Sequence, residues 1–556
     1  MAEPWHDSPL DASVKQLMLT VIKTQCQCHD VDIYLLLMCH QLKRDVTVTA
    51  KKWLYGIALF TMATSALPAH AQENGSEVDA LRAEVAALKE QLAAISAKIN
   101  AVEKKTATEV KWKGGPESSG PDGWSFKPRG RIHYDAGYVS IPGDYAANRN
   151  LGFNSRVRRV RLGAEGTMPG GFGYKVEGDF ANGNVAFGDV FLSYNPKNAP
   201  INVRIGNFET LNGLEQIASS NNNSFTERAA FNDAFLNSRR LGGAVAWHNE
   251  DNAIRAEAGL FAAHSIDSSF DNDGWIGAGR LVYAPKALGG QLHFGATVQQ
   301  REFASNNEFA SNNNASASVS VNAPSTNQIA RYRARPNTQL TDVRFIDTGS
   351  FAAKSDRIVG LELAAIFPGL YFAGEGQWTK VKAYRAGDMA IGLDTFSGGN
   401  NAVTPLGDPS FFGMYAEAGY FLTGETRGYK DGTWSRTKVL KPIDKRGLGA
   451  FQIAGRFEYL DLASNALKNG ATNSFAAGTS SLASLNTRLG RGGKQNSYLL
   501  ALNWYPIDYI RFMLNYGRVN VKGGPLAAIV VPNSIQPADQ RDYSVDVVAA
   551  RVQLDF

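Results

Sequence analysis

Counting back from Phe556, every second residue is apolar (Leu554, Val552, Ala550, Val548), while Asp555, Gln553 and Arg551 occupy the other face. The same two-residue period recurs in segment after segment from Arg129 to the end of the chain. A soluble sheet would bury such a face under a second layer, yet no helix-period stretch in this region could supply one. The pattern predicts an all-β transmembrane barrel, apolar side chains toward lipid and polar ones toward a wet lumen. Two kinds of connection alternate between the segments. Short ones, such as Met168-Pro169-Gly170-Gly171, Asn195-Pro196-Lys197-Asn198 and Pro506-Ile507-Asp508, contrast with long loops at about 304–350, 384–409, 463–495 and 522–541. That contrast fits periplasmic turns at one end and extracellular loops at the other. One connection, 424–446, is long and basic although its order places it on the short-turn side. The segments number about sixteen antiparallel strands across 128–556.

Upstream, Lys51-Lys52 precede an apolar run from Trp53 to Pro68 that closes on Ala69-His70-Ala71. A positive start, a short apolar core and an A-x-A end predict a secretory signal cleaved after Ala71. Residues 1–71 are thus expected to be leader, with 1–45 a mis-assigned start. Residues 73–105 carry a heptad: Val78, Leu81, Val85, Leu88, Leu92, Ile95, Ile99 and Val102. It predicts a coiled coil, and its mixed Leu, Ile and Val core positions are compatible with three strands. A lone amphipathic helix folded onto its own chain is the alternative. Residues 106–127 are expected to be a Gly/Pro-bearing linker.

Composition narrows the classes. Across 556 residues, 20% are charged and the net charge is +5, with no basic helix or stacking-aromatic motif for nucleic acid. A mean hydropathy of -0.24 excludes a bundle of membrane helices but not a barrel, whose strands are half polar. The three cysteines (Cys26, Cys28, Cys39) all lie in the leader, so no thiolate metal site or cofactor is expected in the exported part. Catalysis would need a nucleophile paired with a base. His133, His248, His264 and His293 fall on separate strands or turns, and neither G-x-S-x-G nor H-E-x-x-H occurs, so the chain is not expected to be an enzyme.

If the apolar parity meets lipid, the other parity lines the lumen. It presents Arg129, Arg131, Arg159, Arg161, Lys175, Arg204, Arg255, Arg280, Arg301, Arg456 and Arg511. Guanidinium groups offer planar donor forks suited to phosphate or carboxylate. Set at several heights they could hand an anion from site to site. Interspersed carboxylates (Glu165, Glu177, Asp179, Glu257, Glu458) leave a merely balanced polar lining as the alternative. The insertion Phe208–Arg240 mixes apolar and charged stretches rather than flexible filler. It is expected to fold inward and set the constriction, with Glu227, Arg228, Arg239 and Arg240 as its charged members. An exposed or trimer-latching loop is the other reading.

Several stretches resemble the phosphate-selective porin family, porins O and P. They include Arg158-Arg159-Val160-Arg161-Leu162-Gly163-Ala164-Glu165-Gly166, Gly173-Tyr174-Lys175-Val176-Glu177-Gly178-Asp179-Phe180-Ala181, Asp189-Val190-Phe191-Leu192-Ser193-Tyr194, Val203-Arg204-Ile205-Gly206-Asn207-Phe208, Thr226-Glu227-Arg228, Ala416-Glu417-Ala418-Gly419-Tyr420-Phe421 and Asn503-Trp504-Tyr505-Pro506. The terminal Phe556 resembles the assembly signal of bacterial outer-membrane barrels. The resemblance spans about 125–556. It implies a homotrimer of sixteen-stranded barrels in outer-membrane lipid, an inward third loop, and a passage for inorganic anions such as phosphate or polyphosphate. The coiled coil could then fix the trimer or contact the cell wall. Family members noted for phosphate carry a lysine in the constriction loop near a Ser-Ser step. Here Ser219-Ser220 is followed by Asn221-Asn222-Asn223, and no Lys occurs from Phe208 to Arg240. That departure weighs against tight phosphate selectivity and leaves a general small-solute porin as the alternative.

Overall fold

The structure, a computed structural model, describes residues 75–106, 109–112, 114–145, 151–181, 183, 185–235, 238–263, 266, 274–303, 329–383, 405–468 and 492–556. The predicted leader lies outside the described residues, as do most of the loops 304–350, 384–409 and 463–495.

The first element is a helix, α1 (Gly75–Thr106). Its heptad positions Leu81, Val85, Leu88, Leu92 and Ile95 are 50–68% exposed, so the apolar stripe is uncovered in the single chain. One helix does not by itself make a coiled coil. Within the expected linker, Glu109–Trp112 pairs with Pro116–Ser119, which joins the first barrel strand at Ser118 and Ser119.

Sixteen strands form the barrel: β1 (Ser125–Val139), β2 (Gly152–Met168), β3 (Phe172–Asp179), β4 (Ala186–Tyr194), β5 (Ile201–Glu209), β6 (Arg239–His248), β7 (Ile254–Ala262), β8 (Trp275–Tyr283), β9 (Gly290–Glu302), β10 (Phe351–Ile366), β11 (Leu370–Ala383), β12 (Ser410–Phe421), β13 (Ala450–Asp461), β14 (Lys494–Ile507), β15 (Ile510–Lys522) and β16 (Asp542–Asp555). Each pairs antiparallel with its sequence neighbour, and β16 closes on β1 with Leu554 opposite Ile132 and Asp555 opposite Arg131. Closure leaves no unpaired edge, the condition for a sheet in lipid. The predicted parity holds along the wall. Ile132, Leu162, Ile205 and Leu500 are 44–65% exposed outward, while His133 and Glu362 are at most 1% exposed. Ring pairs Phe172–Tyr194 and Trp504–Phe512 mark the short-turn rim, and Trp378–Phe412 marks the opposite one. Two aromatic girdles of this kind bracket a lipid-facing band.

The wall is uneven. Strands β3–β8 run 8–10 residues, whereas the others run 12–17. The largest apolar cluster also sits inside the barrel, against the taller strands, with Phe231, Phe235, Tyr332, Phe345, Ile346, Tyr371 and Trp434 among its members. Apart from Tyr371 of β11, those residues come from three connections that enter the lumen: 210–235, the described part of 303–350, and the first part of 422–449. The last is the basic segment on the short-turn side.

Candidate functional site

A register shift in β2 sets the first contacts. His133 faces Arg159 and Tyr134 faces Val157, so Arg158 is an extra residue, and Arg158 and Arg159 both reach the lumen. Arg158 grips Glu227 of the 210–238 loop at 2.9 Å through Nε, and Arg551 reaches Glu227 at 2.9 Å while pairing with Asp135 at 2.6 Å. Burial opposes ionisation of Glu227, but the guanidiniums of Arg158, Arg551 and Arg159 overcome it and hold the carboxyl well below the usual range. Arg228 instead donates to the carbonyls of Glu215 and Ala218, bracing the loop internally.

The opposite flank of the loop docks on β11–β13. Glu375 accepts the backbone N–H groups of Leu214 and Glu215, both at 2.8 Å. Glu215 accepts from the Ala229 N–H at 2.8 Å and pairs with Arg456 at 2.5 Å. Arg456 also donates to Glu417 at 2.9 Å and Glu458 at 3.3 Å, and lies over the rings of Phe225 and Tyr415. Three carboxylates therefore converge on one guanidinium, which is compatible with burial only while all of them stay in contact.

The other two insertions lock onto this loop. From 303–350, Arg344 and Arg335 hold Asp233 at 2.7 and 3.2 Å, and Asn337 donates to Glu458 at 2.5 Å. From the short-turn side comes a small hairpin, Tyr429–Lys430 against Thr433–Trp434. Arg427 lies between Tyr371 and Trp434, 4.4 and 4.3 Å from their ring centres, and donates to the Asn222 carbonyl at 2.9 Å. Arg280 joins Glu362 at 2.6 Å to the Gly432 carbonyl at 2.8 Å.

What remains open is a cavity of about 560 Å³ along the short wall, lined from β1 and β3–β7, the loop at Ser219 and the hairpin at Asp431 and Thr433. Of the predicted lumen residues, Arg131, Lys175, Arg204 and Arg255 border it, as does Arg239. Arg159, Arg280, Arg456 and Arg511 do not: all four are at most 5% exposed, and Arg280, Arg456 and Arg511 serve as anchors for the insertions rather than as pore wall, while Arg159 bonds His133 on the adjacent strand. Arg511, for instance, donates to the Asn223 carbonyl at 2.7 Å. Arg129 pairs with Glu165, Arg161 with Glu177 and Asp179, and Arg301 with Asp356. Arg239 and Arg240 open β6 rather than belong to the loop, because they pair in register with Glu209 and Phe208 of β5. Arg240 donates to the Ala263 carbonyl. The lumen arginines singled out from the sequence omit Arg158, Arg427 and Arg551, and the loop's charged members omit Glu215. Advance signals existed for the arginines: the Arg158-Arg159 pair breaks the two-residue alternation, Arg551 sits on the polar face of the last strand, and Arg427 belongs to the basic 424–446 connection.

The cavity lining is electrically mixed. Its cations Lys175, Arg204, Arg239 and Arg255 all share carboxylates with Asp189, Glu209 or Glu257. Arg131 differs, donating to the hydroxyls of Ser220 at 2.9 Å and Ser219 at 3.0 Å, with no ion pair among the described residues. It offers the passage a guanidinium and two hydroxyls, a donor set for an oxyanion.

Comparison with known proteins places this arrangement. A family profile described as phosphate-selective porin O and P matches residues 126–556. This chain belongs to that family. Porin O of Pseudomonas aeruginosa is 27% identical over 419 residues, covering 73% of this chain and 86% of its own length. An uncharacterised protein of Caulobacter vibrioides is 34% identical over 458 residues, covering 81% of this chain and 77% of its own. Among solved structures, the anion-selective porin from Comamonas acidovorans aligns with 78% of this chain and all of its own, at 13% identity and a TM-score of 0.42. The chain is an outer-membrane porin, its channel narrowed from both ends. Deleting residues 428–436 of this porin removes Asp431 and Thr433 from the passage, so single-channel conductance is expected to rise. An unchanged current step in planar bilayers would show that the hairpin does not border the conducting path.

Proposed function

We propose that this porin passes small solutes along its short wall with a preference for anions, inorganic phosphate among them. One observation carries the reading: Arg131 borders the passage and, among the described residues, is held by hydroxyl partners only, so its charge is available to a permeant ion. Protein carboxylates already neutralise the neighbouring cations. Purified porin in a planar bilayer under a KCl gradient is expected to give a reversal potential on the anion side. Added phosphate is expected to reduce the chloride current as it occupies the same donors. A reversal potential at zero, with no effect of phosphate, favours the second reading, a general small-solute porin. That reading draws on the lining itself, where five cations (Arg131, Lys175, Arg204, Arg239, Arg255) meet five carboxylates (Glu177, Asp189, Glu209, Glu257, Asp431).

The exposed heptad of α1 supports a homotrimer. Three such stripes brought together would bury leucines that a single chain leaves in water, along a helix of about 48 Å at 1.5 Å per residue. Deletion of 73–110 is expected to leave the barrel folded but lower the temperature at which oligomers dissociate on semi-native gels. Unchanged dissociation together with loss of peptidoglycan co-sedimentation would instead assign α1 to cell-wall contact.

A further inference from the structure

The basic connection does more than insert a hairpin. After Trp434 it returns to the rim and makes a second excursion, 438–449, outside the lumen. The Val439 N–H bonds Asp508 of the β14–β15 turn at 2.7 Å, which pins this stretch to the short-turn end. A single turn at Ile443–Lys445 then folds it back so that the Gly449 N–H meets the Lys441 carbonyl at 2.9 Å. Lys438, Lys441, Lys445 and Arg446 are all exposed beside a single exposed carboxylate, Asp444, and among the described residues none of the four cations makes an ion pair or hydrogen bond through its side chain. Between them stand Leu440, Ile443 and Leu448, 58%, 48% and 77% exposed. Cations interleaved with uncovered aliphatic side chains are costly in open water and favourable at the surface of a bilayer, where each kind finds its own medium.

A second observation lies directly above. The Leu448 carbonyl accepts from the Trp504 indole N–H at 2.9 Å, and Trp504 borders an apolar recess of about 310 Å³ on the outer wall. That recess shares Leu502 and Leu514 with a larger one of about 590 Å³. The larger has small residues on its floor, Ala418 directly opposite Gly455, between the bulkier Phe372 and Leu500 in the same cross-strand row. A continuous trough thus runs from the basic rim into the lipid-facing band.

We infer that the 438–449 excursion and this trough form a binding site for an anionic phospholipid of the periplasmic leaflet. The headgroup phosphate lies against Lys441, Lys445 and Arg446, and an acyl chain lies over Ala418 and Gly455. Neither group touches the conducting passage, so the inference goes beyond the channel reading and stands or falls apart from it. It depends on the barrel lying in the outer membrane.

The test uses delipidated full-length porin in detergent, titrated with phosphatidylglycerol or with phosphatidylcholine and followed by native mass spectrometry. Phosphatidylglycerol is expected to bind at least about tenfold tighter than phosphatidylcholine, and the Lys441→Gln/Lys445→Gln/Arg446→Gln variant should lose that difference. Gly455→Leu fills the trough. A Cβ there meets only the Leu500 side chain at 3.8 Å and the Leu499 carbonyl at 4.0 Å, so folding should be kept. It is expected to weaken both lipids alike. Bilayer conductance should match wild type in both variants, which separates this site from the channel. Equal retention of the two lipids by wild type, or undiminished phosphatidylglycerol binding by the triple variant, overturns the inference. So does Gly455→Leu dissociating the oligomer without changing lipid retention, which would make the trough a contact between subunits.

Discussion

Arg131→Glu is expected to move the reversal potential from the anion to the cation side. The substitution turns five cations and five carboxylates into four and six, so a balanced lining becomes net negative by two charges. It does so at the one passage cation with no ion pair among the described residues. In a hydrated pore a unit charge about 4 Å away is worth about 1 kcal/mol, so reversing it moves the anion and the cation by about 2 kcal/mol each, in opposite directions. The chloride-to-potassium permeability ratio should fall on the order of tenfold or more. Planar bilayers under a KCl gradient read this directly, and Arg131→Ala should fall midway. Because Arg131 touches the loop only through two serine hydroxyls, the conductance step should stay near wild type. A ratio unmoved in both variants would mean that permeating ions do not pass this guanidinium.

Arg456→Ala should have the larger structural effect. It leaves Glu215, Glu417 and Glu458 converging with no cation between them, and breaking such a buried set typically costs about 3–5 kcal/mol. Glu215 is the residue through which the constriction loop holds its own turn at Ala229 and the barrel wall at Arg456. Its release should free that flank of the loop. Single-channel conductance is expected to rise several-fold, with anion preference reduced, since Ser219 and Ser220 leave Arg131 when the loop moves. Arg456→Lys keeps the charge without the planar fork and should lie between. It also preserves the test if the alanine variant fails to assemble. A wild-type step from the lysine variant together with a wild-type step from an assembled alanine variant would show that the loop is held without Arg456, by contacts such as Arg158–Glu227 and the Glu375 carboxylate.

Much of the architecture was readable beforehand because it depends on local chemistry. Alternation fixes which side chains of a strand share a face, and turn residues mark where it ends. Hence the closing strand through Val548–Phe556, the outward Ile132 and Leu162, and the inward His133 followed from period and solvent alone. The functional site was legible only in part. Parity puts Arg280, Arg456 and Arg511 on the inner face but could not say what they would meet there, and insertions from both ends cover them. Arg158 escaped notice because a bulge suspends the alternation for one residue. The 424–446 connection stood out by length and charge, yet nothing local shows that it turns back into the lumen.

The sequence by itself determined a lipid-facing barrel of antiparallel strands and the set of arginines available to its interior, since both rest on neighbours one or two residues apart. Only the tertiary structure decided which of those arginines meet solvent. That outcome depends on contacts between residues hundreds of positions apart, such as Glu215 with Arg456 and Arg427 with Asn222, and on the choice each guanidinium makes between a buried carboxylate and open water.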